Sequence, residues 1–253
     1  MYIDSHAHLT SPALYDEVDA ILARAKEAGI DTIINICTDR ETLEKGLILR
    51  KKYPWIYNTA ATTPHDVDKE GEILFDLMAA SARTGDLVAV GETGLDYYYT
   101  HSTKENQIHF LRRYLALATE CKLPVVIHCR DAFSDFFRIL DEENYQGPGV
   151  LHCFTGTLDE AKEVINRGWF LSLSGIVTFK KSLELKQVAQ MVPLSQLLIE
   201  TDSPYLAPNS RRGKQNEPAY LTETAQHIAE LRGISVSDLA TATARNAKQL
   251  FSL

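Results

Sequence analysis

The chain has 253 residues, 45% hydrophobic and 24% charged, an ordinary globular composition that excludes a disordered chain. Its longest apolar runs, such as Leu197-Leu198-Ile199, are too short for a transmembrane helix, and the start Met1-Tyr2-Ile3-Asp4-Ser5-His6 lacks the basic and apolar stretches of a secretory signal. The net charge of −8, from 26 basic and 34 acidic residues, argues against a broad electropositive face for long nucleic acid, but not against a phosphate substrate neutralised by a bound divalent cation.

In chain order, short apolar runs alternate with longer amphipathic ones. The first strand is predicted at Tyr2–Asp4, and the helix after it carries a stripe of Val18, Ile21, Leu22, Ala25 and Ala28 that ends at Gly29. Further strands are predicted at Thr32–Ile36, Ile56–Ala61 and Val88–Gly91. A helix with Ile108, Leu111, Leu115 and Ala118 on one face then runs up to Pro124. The remaining strands fall at Val125–Ile127, Val150–Leu151, Phe170–Leu173 and Leu197–Ile199, and an extra C-terminal helix capped by Ser235 or Ser237 fills Ser235–Leu253. Strands separated by helices must run parallel, because each return needs a crossover. Eight such units in this length match a single-domain α/β (β/α)8 TIM barrel spanning residues 1–253; an open doubly wound sheet is the rival. The four cysteines, Cys37, Cys121, Cys129 and Cys153, form no C-x-x-C pair, which fits a reducing cytoplasm better than a disulfide framework.

The chemistry collects where strands end. Asp4, His6 and His8 alternate along the first strand and are expected to share a face. Glu92 follows the fourth strand, His128 the fifth, His152 the sixth and Asp202 the eighth. In a parallel barrel all these ends open onto one face, where active sites form. Four histidines and two carboxylates gathered there suit divalent metal ions, whether Zn²⁺, Mn²⁺ or Mg²⁺. Alternation turns Cys129 and Cys153 away from the histidines they follow, so they read as packing residues rather than ligands.

The segments Ile3-Asp4-Ser5-His6-Ala7-His8-Leu9, Gly91-Glu92-Thr93-Gly94-Leu95-Asp96-Tyr97-Tyr98, His128-Cys129-Arg130-Asp131-Ala132, Leu151-His152-Cys153-Phe154-Thr155-Gly156, Gly175-Ile176-Val177-Thr178-Phe179-Lys180, Glu200-Thr201-Asp202-Ser203-Pro204-Tyr205-Leu206 and Arg212-Gly213-Lys214-Gln215-Asn216-Glu217-Pro218 occur in that order. Together they strongly resemble the TatD family of metal-dependent deoxyribonucleases, in the amidohydrolase superfamily. The resemblance implies a (β/α)8 barrel with two divalent ions, His6, His8 and Asp202 on one, His128 and His152 on the other, and Glu92 bridging. It also implies hydrolysis of phosphodiesters in DNA, single-stranded or at its ends, often as an exonuclease. One departure concerns the Gly-x-His-Pro stretch that the family usually has after the third strand. Here the chain reads Ala61-Thr62-Thr63-Pro64-His65, with Thr63 in place of the histidine and His65 two residues too late to replace it.

Around this core, Asp202 is expected to accept a proton from the attacking water and Glu92 to reach both ions. Arg130 is set to hold a phosphate oxygen or to pair with Asp131. The basic run holding Arg211 and Lys214 is expected at the rim, against the phosphate backbone. Tyr97, Tyr98 and Tyr99 read as packing residues more than as base-stacking ones, and Asp96 and Glu200 as carboxylates that either orient a histidine or hold a further ion. Two other functions remain open: a metal-dependent hydrolase of a small lactone, amide or phosphoester, and a binding barrel without turnover. No membrane association or obligate protein partner is expected.

Overall fold

The computed structural model describes residues 1–253. Eight parallel strands lie in chain order: β1 (Tyr2–Ala7), β2 (Ile30–Cys37), β3 (Ile56–Ala60), β4 (Ala89–Asp96), β5 (Val125–Arg130), β6 (Gly149–Leu151), β7 (Phe170–Leu173) and β8 (Leu197–Ile199). Helices follow each: α1 (Val18–Glu27), α2 (Arg40–Lys52), α3 (Val67–Thr84), α4 (Lys104–Cys121), α5 (Phe133–Glu142), α6 (Leu158–Asn166), α7 (Leu183–Met191) and α8 (Leu221–Arg232), with α9 (Val236–Phe251) in addition. A seam between β1 and the segment after β8 closes the sheet. Asp202 N–H donates to His6 O at 2.9 Å and His8 N–H to Ser203 O at 2.7 Å. An open doubly wound sheet is thereby ruled out, and the fold is a (β/α)8 barrel.

The helices form where the sequence supplies stripes and caps. Val18, Ile21, Leu22 and Ala25 are the buried face of α1, and the chain leaves it through Gly29 at φ +84°. Ser235 caps α9 by accepting the Asp238 N–H. Two apolar layers result. Val90, Val125, Ile127, Leu151, Leu171, Leu197 and Ile199 face the helices. Ile3, Ile34, Ile36, Ala89, Val126, Val150, Phe170 and Leu198 fill the barrel interior together with Ala244, Ala247, Leu250 and Phe251 of α9. The extra helix therefore plugs the N-terminal mouth, which leaves the opposite mouth for chemistry.

Four strands run further than their apolar runs predict, β1 to Ala7, β2 to Cys37, β4 to Asp96 and β5 to Arg130. Glu92 consequently lies within β4 rather than after it. At Gly94 (φ +142°) a Cβ would fall 1.9 Å from the His128 carbonyl oxygen, so only glycine lets β4 and β5 approach this closely. No helix is long and apolar enough to cross a membrane.

Candidate metal centre

At the open mouth the pleat brings His6, His8, Glu92, His128, His152 and Asp202 together. Glu92 is central. Its Oε2 lies 3.4 Å from His6 Nε2 and 3.7 Å from His8 Nε2, while its Oε1 lies 3.2 Å from His128 Nδ1 and 3.0 Å from His152 Nε2. Asp202 Oδ1 stands 3.6 Å from His6 Nε2 and 3.4 Å from His8 Nε2, and those two nitrogens are 3.3 Å apart. Ligands about 2.0–2.2 Å from a tetrahedral ion are separated by about 3.3–3.6 Å. The distance between His6 and His8 and those from each of them to Glu92 and Asp202, at 3.3–3.7 Å, are close to that size. His128 Nδ1, His152 Nε2 and Glu92 Oε1 form a smaller three-ligand face, with edges of 3.0–3.3 Å. A face of three protein ligands leaves a coordination position open, as in catalytic rather than structural sites.

The electrostatics favour a cation. Glu92, Asp96, Glu200 and Asp202 are all buried, and the only nitrogen bases within ion-pair distance of them are imidazoles. Buried carboxylates without lysine or arginine partners are costly unless another positive charge compensates them. Burial alone would raise the Glu92 carboxyl, but His152, His128 and His6 outweigh it and hold it well below the usual carboxylate range. The same balance, with His8, His6 and His152 as the opposing groups, keeps Asp202 low. His152 is pushed well above an ordinary imidazole, because Glu92 and Glu200 overcome its burial; His128 is raised likewise by Asp96 and Glu92. His6 moves down, through burial and the neighbouring His152 ring stacked on it at 3.8 Å.

Carboxylates stand beside the far nitrogens of two rings, hydrogen-bonded in the case of His128 and at ion-pair distance in the case of His152. Asp96 Oδ2 lies 2.8 Å from His128 Nε2, and Glu200 Oε1 lies 3.4 Å from His152 Nδ1 while accepting the Cys153 N–H at 2.6 Å. This is the arrangement that fixes a histidine's tautomer and aim. Asp96 and Glu200 are placed to orient a histidine, and Asp96 also lies with His65 and His128 in a group whose ligand atoms are close enough to hold a further ion.

Alternation misplaces several residues where strands stop being regular. The β1–β2 register shifts between Asp4 and Ala7, and Asp4 does not join the histidines; its carboxylate accepts from Thr201 N, Thr201 Oγ1 and His6 N. Cys153 lies past the end of β6 at φ +43°, and its thiol meets the Ser174 hydroxyl at 3.2 Å instead of the helix layer. Cys129 does pack in the helix-facing core. Neither thiol enters a ligand group. After β3 ends at Ala60, Thr63 turns to Asp66 (3.0 Å), and His65 reaches the site: its ring lies 5.4 Å from that of His128 and its Nε2 3.6 Å from Asp96 Oδ2. The tyrosines meet the packing expectation only in part. Tyr97 is partly buried with its hydroxyl on Asp135, but Tyr98 and Tyr99 are exposed.

Among the basic residues, Arg130 makes no ion pair with Asp131 and lies over Tyr98 at 3.8 Å. Arg211 donates its Nε to Glu223 at 2.8 Å, which ties it to α8, while Lys214 is exposed without an ion-pair partner. Tyr205, exposed, stands edge-on to His8 at 5.7 Å.

The profile of the TatD related DNase family matches residues 3–252. The chain belongs to the TatD family. Among its relatives is YabD of Bacillus subtilis (strain 168), named an uncharacterized metal-dependent hydrolase, 38% identical over the full length of both chains. A second, the 3'-5' ssDNA/RNA exonuclease TatD of Citrobacter rodentium (strain ICC168), is 36% identical over 99% of this chain and 97% of its own. The crystal structure of YjjV, a TatD homolog from Escherichia coli K12, superposes with a TM-score of 0.94 at 28% identity, covering 100% of this chain and 98% of that one. The protein is thus a metal-dependent hydrolase of the TatD family with a TIM barrel.

Proposed function

We propose that this TatD-family hydrolase cleaves phosphodiester bonds in DNA, acting exonucleolytically on single strands or ends with two divalent ions, Zn²⁺, Mn²⁺ or Mg²⁺. The observation that carries the reading is the group of buried carboxylates shared among histidines, with no lysine or arginine to neutralise them. The name of the Citrobacter relative, a 3'-5' ssDNA/RNA exonuclease, points the same way. His6, His8 and Asp202 would hold one ion, His128 and His152 the second, and Glu92, with an oxygen beside each set of histidines, would serve both. When bound, such a pair acidifies water and clamps the attacking and leaving oxygens of a phosphodiester.

The chain's own groups do the rest. Asp202 Oδ1 faces His6 and His8, which leaves Oδ2 to accept the proton of the attacking water, and the low carboxyl pKa keeps that oxygen ionised. Asp96 and Glu200 keep His128 and His152 aimed inward. Arg130 and Lys214, neither in an ion pair, are the phosphate contacts; Arg211 offers only what its bond to Glu223 leaves free.

The test is an assay of protein purified without chelator, with its metal stoichiometry measured. Single-stranded DNA and a panel of lactones, amides and small phosphoesters are each offered with Mg²⁺, Mn²⁺ or Zn²⁺. Release of nucleotides from DNA ends, lost on chelation, is the expected result. Turnover of the carbon substrates alone would overturn the reading.

A further inference from the structure

A ring cluster continues outward from His128, beyond the groups that face the ions. Asp96, the last residue of β4, accepts the N–H groups of Tyr98 at 3.0 Å and Tyr99 at 2.8 Å through Oδ1, and this turns the chain out of the barrel. Tyr98 and Tyr99 remain 57% and 44% exposed. They are nevertheless held in place by one another. Their rings meet edge to face at 4.9 Å, and the Arg130 guanidinium lies 3.8 Å from the Tyr98 ring and 5.0 Å from that of Tyr99. His101 stacks on Tyr99 at 5.5 Å and 11°, and His65 closes against both Tyr99 and His101 at 5.7 and 5.6 Å. The rings run without a break from His128 to solvent.

From this geometry we infer that the rim of Tyr98, Tyr99, His101, His65 and Arg130 binds one nucleotide of a single-stranded nucleic acid, next to the phosphodiester held at the carboxylate cluster. The inference rests on the phosphodiesterase reading above and adds where the rest of the substrate sits. The aromatic surface that Tyr98 and Tyr99 expose at the mouth of the site suits packing against a base, and contact of this kind tolerates any base. Arg130 is fixed by the ring beneath it, and no carboxylate neutralises it, so its donors are available to a phosphate in a protein that is otherwise net negative. A duplex fits less well, because its base faces are covered by their neighbours in the stack. Recognition of this kind gives little sequence preference.

The test uses the metal-loaded enzyme with Tyr98→Ala, Tyr99→Ala and the double variant, beside Tyr98→Phe and Tyr99→Phe. Each is assayed on a short single-stranded oligodeoxynucleotide and on methyl p-nitrophenyl phosphate, a phosphodiester without a nucleobase. Losing the rings is expected to raise the oligonucleotide KM by about 10-fold or more, well beyond any loss on the small diester, and the Phe variants are expected to restore it. Equal losses on both substrates, or wild-type oligonucleotide kinetics in the double Ala variant, overturn the rim. If wild-type protein cleaves neither substrate, binding of a labelled oligonucleotide decides separately. Affinity lost with the rings keeps the rim and discards hydrolysis; affinity unaffected by them discards the rim.

Discussion

At the scale of single residues, the imidazole–carboxylate pairs decide how well the site is aimed. His128 turns Nδ1 toward Glu92 only while its Nε2 is held by Asp96, which is buried and itself anchored by the Tyr98 and Tyr99 amides. An Asp96→Asn substitution keeps the shape but removes the charge that fixes the tautomer. Metal affinity, measured by competition with a chromophoric chelator, is expected to fall about 10- to 100-fold. Unchanged affinity would remove the orienting role. Asp4 lies below the site with a different signature: burial raises its carboxyl to about 7, against the opposing hydrogen bonds from Thr201. The folded protein therefore binds this proton more tightly than the unfolded chain does. Its contribution to stability is full below the ordinary aspartate range and is lost as pH rises toward 7. In chelator-treated protein, urea midpoints of the Asp4→Asn variant should decline less between pH 5 and pH 8 than those of the wild type; parallel declines would show that Asp4 titrates normally. The chain itself marks Asp96 and Glu200 as carboxylates that either orient a histidine or hold a further ion, but which nitrogen of which ring each one faces, and how deeply Asp4 is buried, are facts of three dimensions.

At the scale of elements, far more was legible. The eight apolar runs mark the strands, because a parallel strand buried on both faces must be apolar along its length, and the stripes of α1 and α4 follow from their need to cover that sheet. That His6, His8, Glu92, His128, His152 and Asp202 would gather at one mouth was equally readable, since parallel topology sends all those strand ends the same way. Alternation failed where the backbone left the regular pleat, at the β1 register shift beside Asp4 and past β6 at Cys153, and counting positions along the chain likewise missed His65 past β3. Glycine was another signal with a readable cause only in the fold. Gly94 lets β4 lie against the His128 carbonyl, and that approach sets Glu92 beside His128 and His152. A Gly94→Ala change puts a methyl group onto that oxygen at a φ that L-residues avoid. The expected cost is about 3 kcal/mol in chemical denaturation, together with reduced metal content. Wild-type stability and metal content would mean that β4 and β5 do not need this approach.

At the scale of the whole molecule, the two mouths of the barrel are closed by different physics. The N-terminal mouth is sealed by Phe251, Leu250, Ala247 and Ala244 of α9 packing on interior strand residues, a seal that needs no ligand. The opposite mouth carries buried carboxylates, and it also contains the seam where the barrel closes on itself. That seam consists of backbone bonds at His6, His8, Asp202 and Ser203, the neighbours of three side chains assigned to one ion. An ion held by His6, His8 and Asp202 would therefore tie the first and last strands together, and its binding energy would stabilise closure by mass action, about 2.7 kcal/mol at a free concentration 100 times its Kd. Stripping it should loosen the seam before the rest of the barrel. Hydrogen exchange of metal-loaded and chelated protein is expected to show faster exchange at the His8 and Asp202 amides after chelation, with the β2–β3 pairing from Ile33 to Cys37 little changed. Uniform loss of protection across all strands would mean that the ion stabilises the barrel as one unit, and unchanged protection at His8 and Asp202 would mean that closure does not depend on it.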